Sequence, residues 1–187
     1  MNVKNNRRFH DTEISMEAAM LDLMKEMEFE KITVKKICER AQVNRSTFYA
    51  HFMDIYDMMD KMEQELGKEL LNSYLEHNLP EERTMFSIQS FHLFLQHIKK
   101  HHYFYKINLK TRKEFPLKQG YECMWNDIIK LRCEQAGISS EEDMMYYFIY
   151  FQAGFTMLLK HWVDTDCKEE EEKLAEIIEN CIPSVLK

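Results

Sequence analysis

Apolar residues recur at helical spacing through most of the chain, the primary sign of amphipathic helices. Between Asp11 and Met27, the residues Met16, Met20, Leu23 and Met27 form one stripe, with Ala19 and Met24 beside it. A short helix is expected from Val34 to about Arg40, with Val34, Ile37, Cys38 and Ala41 as its apolar face. Thr33 is placed to cap it. Gln42 and Val43 break the pattern, and Asn44 can cap a second short helix from Arg45 to about His51. A longer helix is expected from Asp54 to His77, ending before Pro80.

Beyond Pro80 the segments become longer and more aromatic, with helices expected at about 82–99, 102–110, 116–136, 141–163 and 168–182. Gly137 follows one of them as a C-cap should, Ser139 or Ser140 can cap the next, and Pro183 ends the last. Gly120 is expected to delay the start of the 116–136 helix. The fold class expected is all-α, with about nine helices. An N-terminal three-helix helix-turn-helix domain, residues 1–55, is joined by a long helix to a C-terminal helical bundle, residues 56–187.

Composition narrows the picture. Four Gly and three Pro among 187 residues are too few for a turn-rich β-sandwich or barrel, or for a disordered chain. No apolar run approaches the ~18–20 residues that span a bilayer. Met1 to His10 is polar and lacks the apolar stretch of a signal peptide. A soluble, cytoplasmic protein without membrane contact is therefore expected. Five dispersed cysteines (Cys38, Cys123, Cys133, Cys167, Cys181) with no C-x-x-C fit reduced, buried thiols better than a disulfide framework. The net charge of −7 at first argues against nucleic acid. Its distribution does not: residues 1–52 carry nine Lys/Arg against eight Asp/Glu, and the remainder 16 against 24. Such asymmetry suits a front end that meets an anion.

The informative stretch is Ile32-Thr-Val-Lys-Lys-Ile-Cys-Glu-Arg-Ala-Gln-Val-Asn-Arg-Ser-Thr-Phe-Tyr-Ala-His-Phe52. Two short helices joined by a tight break make a helix-turn-helix. Ala41 is small where the helices cross, Val43 plugs the turn, and Ile37, Phe48 and Phe52 face inward. Arg45, Ser46, Thr47, Tyr49 and His51 are left facing out, as hydrogen-bonding groups suited to base edges and phosphate oxygens. Asn44, Lys35 and Lys36 complete the candidate DNA-binding set, although solvated lysines are the plainer reading of the last two.

This stretch resembles the TetR family of bacterial transcriptional regulators. The family signature is Thr-Val-x-x-Ile-x-x-x-Ala, a turn, then Thr-Phe-Tyr-x-His-Phe. Here Thr33-Val34, Ile37, Ala41 and Thr47-Phe48-Tyr49-Ala50-His51-Phe52 match it, within a resemblance spanning roughly residues 11–62. Phe151-Gln152-Ala153-Gly154, with Leu158 and Trp162, looks like the penultimate helix of C-terminal domains common in Firmicutes members, including dihydroxyacetone-kinase regulators. The resemblance implies that Thr33 caps its helix and touches phosphate. It implies that Arg45 and Ser46 read bases in the major groove, while Thr47, Tyr49 and His51 contact phosphates. Two departures stand out. Many members open the fourth helix with Lys, where this chain has Ile55 after Asp54. Affinity then leans on Lys4, Arg7, Arg8, Lys35, Lys36 and a dimer. Gln42 stands where many relatives have Gly, which requires either a right-handed turn or a strained left-handed one.

In the C-terminal half, Phe91, Phe94, Phe104, Trp125, Tyr147, Phe151 and Phe155 are candidates for an apolar effector pocket between helices, and equally for core. From Gln96 to Lys113 there are six Lys/Arg, three His and no acid. This basic window is either a solvated face balanced by Glu169 to Glu172, or an anion site. His97 and His101 have the i, i+4 spacing of a chelating pair, but a third ligand would have to come from elsewhere, and no metal or other cofactor is expected. A recognition helix of about two turns contacts few bases, so a two-fold partner is expected. Ala153, Gly154, Trp162, Ile177 and Ile178 are the candidate homodimer interface. The alternative for Ala153 and Gly154 is packing within one subunit. No nucleophile elbow, H-E-x-x-H, Gly-rich phosphate loop or paired carboxylate argues for an enzyme. The function expected is a sequence-specific transcriptional regulator that binds double-stranded DNA, a repressor responsive to a small-molecule effector and acting as a dimer on a palindromic operator. A ligand-independent regulator or co-activator working through a protein partner is the alternative.

Overall fold

In the computed structural model, residues 3–77, 86–111 and 124–186 are described, all without a strand. The described helices are α1 (Val3–Glu26), α2 (Val34–Ala41), α3 (Arg45–His51), α4 (Ile55–Glu76), α5 (Ile88–Lys100), α6 (His102–Thr111), α7 (Lys130–Gln135), α8 (Glu141–Asp164) and α9 (Glu171–Cys181). They fall into two compact units, Met1–Glu69 and Leu70–Lys187, so the division lies within α4. No described helix is long and apolar enough to cross a membrane.

The N-terminal unit closes over the stripe read from the sequence. Met16, Met20, Leu23 and Met24 of α1 are buried with Ile37 and Cys38 of α2, Phe48 of α3, and Phe52. Met58, Met59 and Met62 of α4 add to the same unit's buried side chains, which explains why the first turns of α4 belong to it. Ile37 and Phe48 are 0% exposed and Phe52 1%, so the inward positions expected for them hold. Removing either Phe ring would cost about 3–5 kcal/mol, more than a seven-residue helix can recover from its own backbone. Outside the core, Arg40 donates two hydrogen bonds to the Glu26 carboxylate, at 2.9 and 2.6 Å, and joins the ends of α1 and α2. The hydrogen bond from Arg40 holds the Glu26 carboxyl below its ordinary pKa.

α1 begins at Val3, eight residues before the expected start at Asp11. The reason is tertiary: the Phe9 ring stacks on His51 at 3.6 Å between centroids, giving the polar first turns something to pack on.

In the C-terminal unit, α5 packs against α9 and α6 against α8. Phe91, Leu95 and Ile98 of α5, Met144, Phe148 and Leu159 of α8, and Leu174, Ala175 and Ile178 of α9 form one buried cluster with Trp125, Ile129 and Cys133. α5 starts at Ile88, not at 82, because Ser87 is its cap and accepts from Ser90 N–H at 3.1 Å. Of the expected 116–136 helix, the described part is a π-helical turn, Met124–Ile129, leading into α7. Gly120, Pro80 and Cys123 lie outside the described residues. Gly137 takes φ 83° after α7, and Ser140 caps α8, as their residue types foretell. α9 starts three residues later than expected. Asp166 and Cys167 take left-handed conformations, and Cys167 N–H returns to Trp162 C=O at 2.9 Å. Cys38, Cys133 and Cys167 are buried and burial pushes their thiols up in pKa, whereas Cys181 is exposed.

Candidate nucleic-acid interface

The recognition helix α3 opens on a dense cap. Asn44 Oδ1 accepts from Thr47 N–H at 2.9 Å, satisfying one of the helix's orphan donors. The same oxygen accepts from the hydroxyls of Thr47, at 2.9 Å, and Ser46, at 2.6 Å. Both hydroxyl protons are thus turned inward, while their oxygen lone pairs remain able to accept from a base amino group. Arg45, between these residues and Asn44, is exposed and has no hydrogen bond or ion pair among the described residues. A guanidinium there has the fork geometry that matches guanine O6 and N7. Tyr49, 58% exposed, sits one turn along, its ring edge-on to Phe48.

α2 supplies the flanking groups. Thr33 accepts from Lys36 N–H at 3.3 Å, so the expected cap is present; its hydroxyl proton has no acceptor among the described residues. Lys35 is exposed, with only the Glu39 carboxylate 3.7 Å away, an ion pair a phosphate can displace. Lys36 differs from the expectation. Its ammonium donates to Lys31 C=O at 2.8 Å and lies 3.4 Å from Met27 Sδ, so it fastens its own unit instead of reaching outward. Arg7 and Arg8 are exposed on α1; the side chain of Lys4 lies outside the described residues.

His51 is the clearest correction. The helical register puts it on the outer face, yet it is 8% exposed. Phe9 covers its ring, and its buried Nδ1 has no hydrogen-bond partner among the described residues. Burial lowers its pKa, assisted by Lys61 and opposed by Glu13. Lys61 holds the backbone at this end of α3: Nζ donates to His51 C=O at 2.7 Å. The same ammonium lies 3.3 Å from Asp57 and 5.2 Å from the centre of the Phe52 ring. Asp57 accepts from Met53 N–H at 2.8 Å, and Asp54 caps α4 through Tyr56 and Asp57 N–H. Sequence reading passed over Lys61 and Asp57. The signal was present: a capping-box spacing at Asp54 and Asp57, with Lys61 at i+4 from Asp57.

In the C-terminal unit, the candidate pocket residues separate. Phe91 and Trp125 are buried core, while Phe94, Phe151 and Phe155 are partly buried against it. Phe104 is 1% exposed and Tyr147 39%. Tyr147 instead joins Tyr146, Tyr150 and Pro183 around a surface groove, so it does not face the aromatic interior. In the described part of the basic window, Lys99 meets Glu171 at 3.0 Å, within the acidic run its plainer reading names, and Lys106 meets Asp166 at 2.8 Å, outside that run. Arg112 and Lys113 lie outside the described residues. His97 is buried, its Nε2 sharing a hydrogen bond with Tyr105 at 3.1 Å.

The interface candidates also separate. Trp162 and Ile178, each 2% exposed, belong to the core, and Trp162 Nε1–H donates to Glu169 C=O at 2.9 Å. Neither is available to a second subunit, because the aromatic and aliphatic cluster of α5, α8 and α9 absorbs them. Ala153 and Gly154 are exposed, as is Ile177 at 40%. A Cβ built on Gly154 would meet nothing within 4 Å, so packing within the subunit does not require glycine there. The same face of α8 exposes Tyr146, Tyr150 and Met157, which sequence reading missed because aromatic residues at helical spacing look like core.

A short capped helix with an exposed arginine at its start, held by a preceding helix across a tight turn, defines a helix-turn-helix. Comparison with known proteins makes the class specific. Residues 87–184, just over half the chain, match the family described as "Transcriptional regulator C-terminal region", and residues 17–62 match "Bacterial regulatory proteins, tetR family". The chain belongs to the TetR family of transcriptional regulators. It is 33% identical over 66 residues to an uncharacterized HTH-type transcriptional regulator, YxbF, of Bacillus subtilis (strain 168). That match covers 33% of this chain and 17% of the relative. Among solved structures, the dihydroxyacetone kinase operon activator DhaS shares the fold, with a TM-score of 0.59 and 20% identity over 94% of this chain and 96% of that one.

Proposed function

We propose that this chain is a homodimeric, ligand-responsive repressor that binds a palindromic operator. Arg45 carries the reading: a cation at the start of an exposed recognition helix, unengaged by any described residue. In this reading Arg45 reads a base edge, Ser46 accepts from a neighbouring base, and Thr33, Lys35, Thr47 and Tyr49 hold phosphates. Asn44 sets the helix start, and His51 acts through its place in the core. The exposed α8 face around Ala153 and Gly154, with Ile177 of α9, supports a two-fold contact between copies.

Regulation would be linkage. An effector in the C-terminal unit favours a conformation in which the paired recognition helices are misplaced for the operator. α4, which contributes to both units, is the lever. A coupling of ~1–3 kcal/mol changes affinity ~5–150-fold. The test is footprinting of the purified protein on its own promoter region at two salt concentrations, with Arg45→Ala and Lys35→Ala variants alongside. Arg45→Ala should cost ~1–3 kcal/mol and relax base preference at one position, while Lys35→Ala should weaken all sequences alike and lower the salt slope by ~1. Protection without two-fold symmetry would overturn the dimeric reading. Operator binding indifferent to small molecules, together with a stable complex with an enzyme subunit, would favour regulation through a protein partner.

A further inference from the structure

We infer that the start of α1 is a second DNA-contacting surface, in which Arg7 and Arg8 bind duplex phosphates beside the recognition helix and the Phe9–His51 stack holds them there. This deepens the DNA-binding reading given above, which leaves α1 out of the contact. The Phe9 ring lies on the His51 ring at 3.6 Å between centroids and 21° between planes. His51 is in the last turn of α3, so the stack ties α1 to the recognition helix itself. Arg8 adjoins Phe9 and Arg7 lies two residues before it, ~4 and ~5.5 Å away between Cα atoms. Both arginines are exposed, and their side chains have no hydrogen bond or ion pair among the described residues. Residues 1–10 hold Lys4, Arg7 and Arg8 and no acid, in a chain of net charge −7. Of the acids that follow, Glu13 lies 3.9 Å from His10, not against an arginine.

The width of the groove decides what such a surface meets. A helix with its side chains is ~10–12 Å across, and the major groove is ~12 Å wide. A recognition helix therefore fills the groove, and its flanks face the sugar–phosphate walls. Thr47 and His51 stand one turn apart on one flank of α3, so Phe9 and the arginines beside it come alongside that wall. The end of α3 offers the wall little charge of its own. His51 is covered, and Asp54 and Asp57 stand at the start of α4. The Lys61 ammonium is bound to His51 C=O and lies 3.3 Å from Asp57. Two guanidinium forks held alongside supply the missing cations, in a geometry that matches phosphate oxygens. His51 is then a positioning residue for the arginines instead of a phosphate contact. A ring retained at the cost of an unmatched Nδ1 agrees with a use for its flat face.

The test is the salt dependence of binding to a short labelled duplex of mixed sequence, on which phosphate contacts dominate. Fluorescence anisotropy measures it for the full-length wild type, the double variant Arg7→Ala with Arg8→Ala, and Phe9→Ala, Phe9→Leu and Phe9→Trp. At ~0.9 per phosphate contact, losing both arginines should lower the slope of log affinity against log salt by about two per bound subunit. Phe9→Ala keeps both arginines yet should lower the slope nearly as much. Phe9→Leu, which keeps the apolar cover and so the fold, should do the same for want of a flat ring. Phe9→Trp should restore the wild-type slope, and adding the arginine changes to Phe9→Ala should lower it no further. A wild-type slope in the arginine variant overturns the contact. A wild-type slope in Phe9→Leu, or a slope in Phe9→Trp as low as in Phe9→Ala, overturns the positioning role of the stack. Arg45→Ala, read by footprinting, bears on base reading alone, so either failure leaves that reading standing. A wild type that binds no duplex sinks both.

Discussion

Gln42 takes φ 55° and ψ 39°, the left-handed conformation, immediately after α2. Its N–H and that of Val43 both return to Cys38 C=O, the latter at 3.0 Å, which closes the helix. The sequence leaves two turn conformations open here; hydrogen bonding selects the one that costs an L-residue about 1 kcal/mol. Gln42→Gly should therefore raise stability by about 0.5–1 kcal/mol, read from the denaturant midpoint at unchanged slope. His51 illustrates the opposite limit. Its outward placement follows from helical register, and no local pattern announces that Phe9, far upstream, will cover it. Its pKa is lowered by burial, so the unfolded chain takes up a proton first as pH falls. Stability should be full above the ordinary His value of ~6.5 and decline as pH drops from there to the lower folded value. Melting temperature followed from pH 7.5 to 5, taken as about neutral to mildly acidic, should fall more steeply in wild type than in His51→Phe. Equal slopes would show that His51 does not titrate in this window.

Elements are legible where their determinants are local. Thr33, Asn44 and Ser140 are each found capping the helix that follows them, and Gly137 ends α7 in the left-handed region. Element limits fail where the determinant is remote, as in α1, where Phe9 rests on His51. The end of α3 belongs to the same group, because its last carbonyl is held by an ammonium from α4. Lys61→Met removes that bond and the Asp57 pair together. Chemical denaturation should show a loss of about 1–2 kcal/mol, the side chain being partly exposed, and Lys61→Arg should recover most of it. Operator affinity should fall with Lys61→Met even though no base or phosphate contact is deleted.

For the whole molecule, the all-helical architecture follows from periodicity and from the scarcity of Gly and Pro. Which apolar residues face a second copy does not, because helical spacing alone cannot tell an interface from a core. Trp162 and Ile178 turn inward, while Tyr146, Tyr150 and Met157 stay exposed. If this face pairs the subunits, Tyr150→Glu should raise the dimer dissociation constant at least about 30-fold, equivalent to ~2 kcal/mol. Light scattering across a dilution series measures it. Circular dichroism should be unchanged, since Tyr150 is 72% exposed in the single subunit.

The placement of the two tryptophans has a practical consequence. Trp125 and Trp162 are both in the C-terminal unit, 3% and 2% exposed, and the chain has no other indole. Light emitted by these rings therefore follows the loosening of that unit alone. The N-terminal unit holds Tyr49 and Tyr56 but no indole, so excitation at the red edge of indole absorption leaves its melting silent, and a tryptophan or label placed there would be needed to watch it.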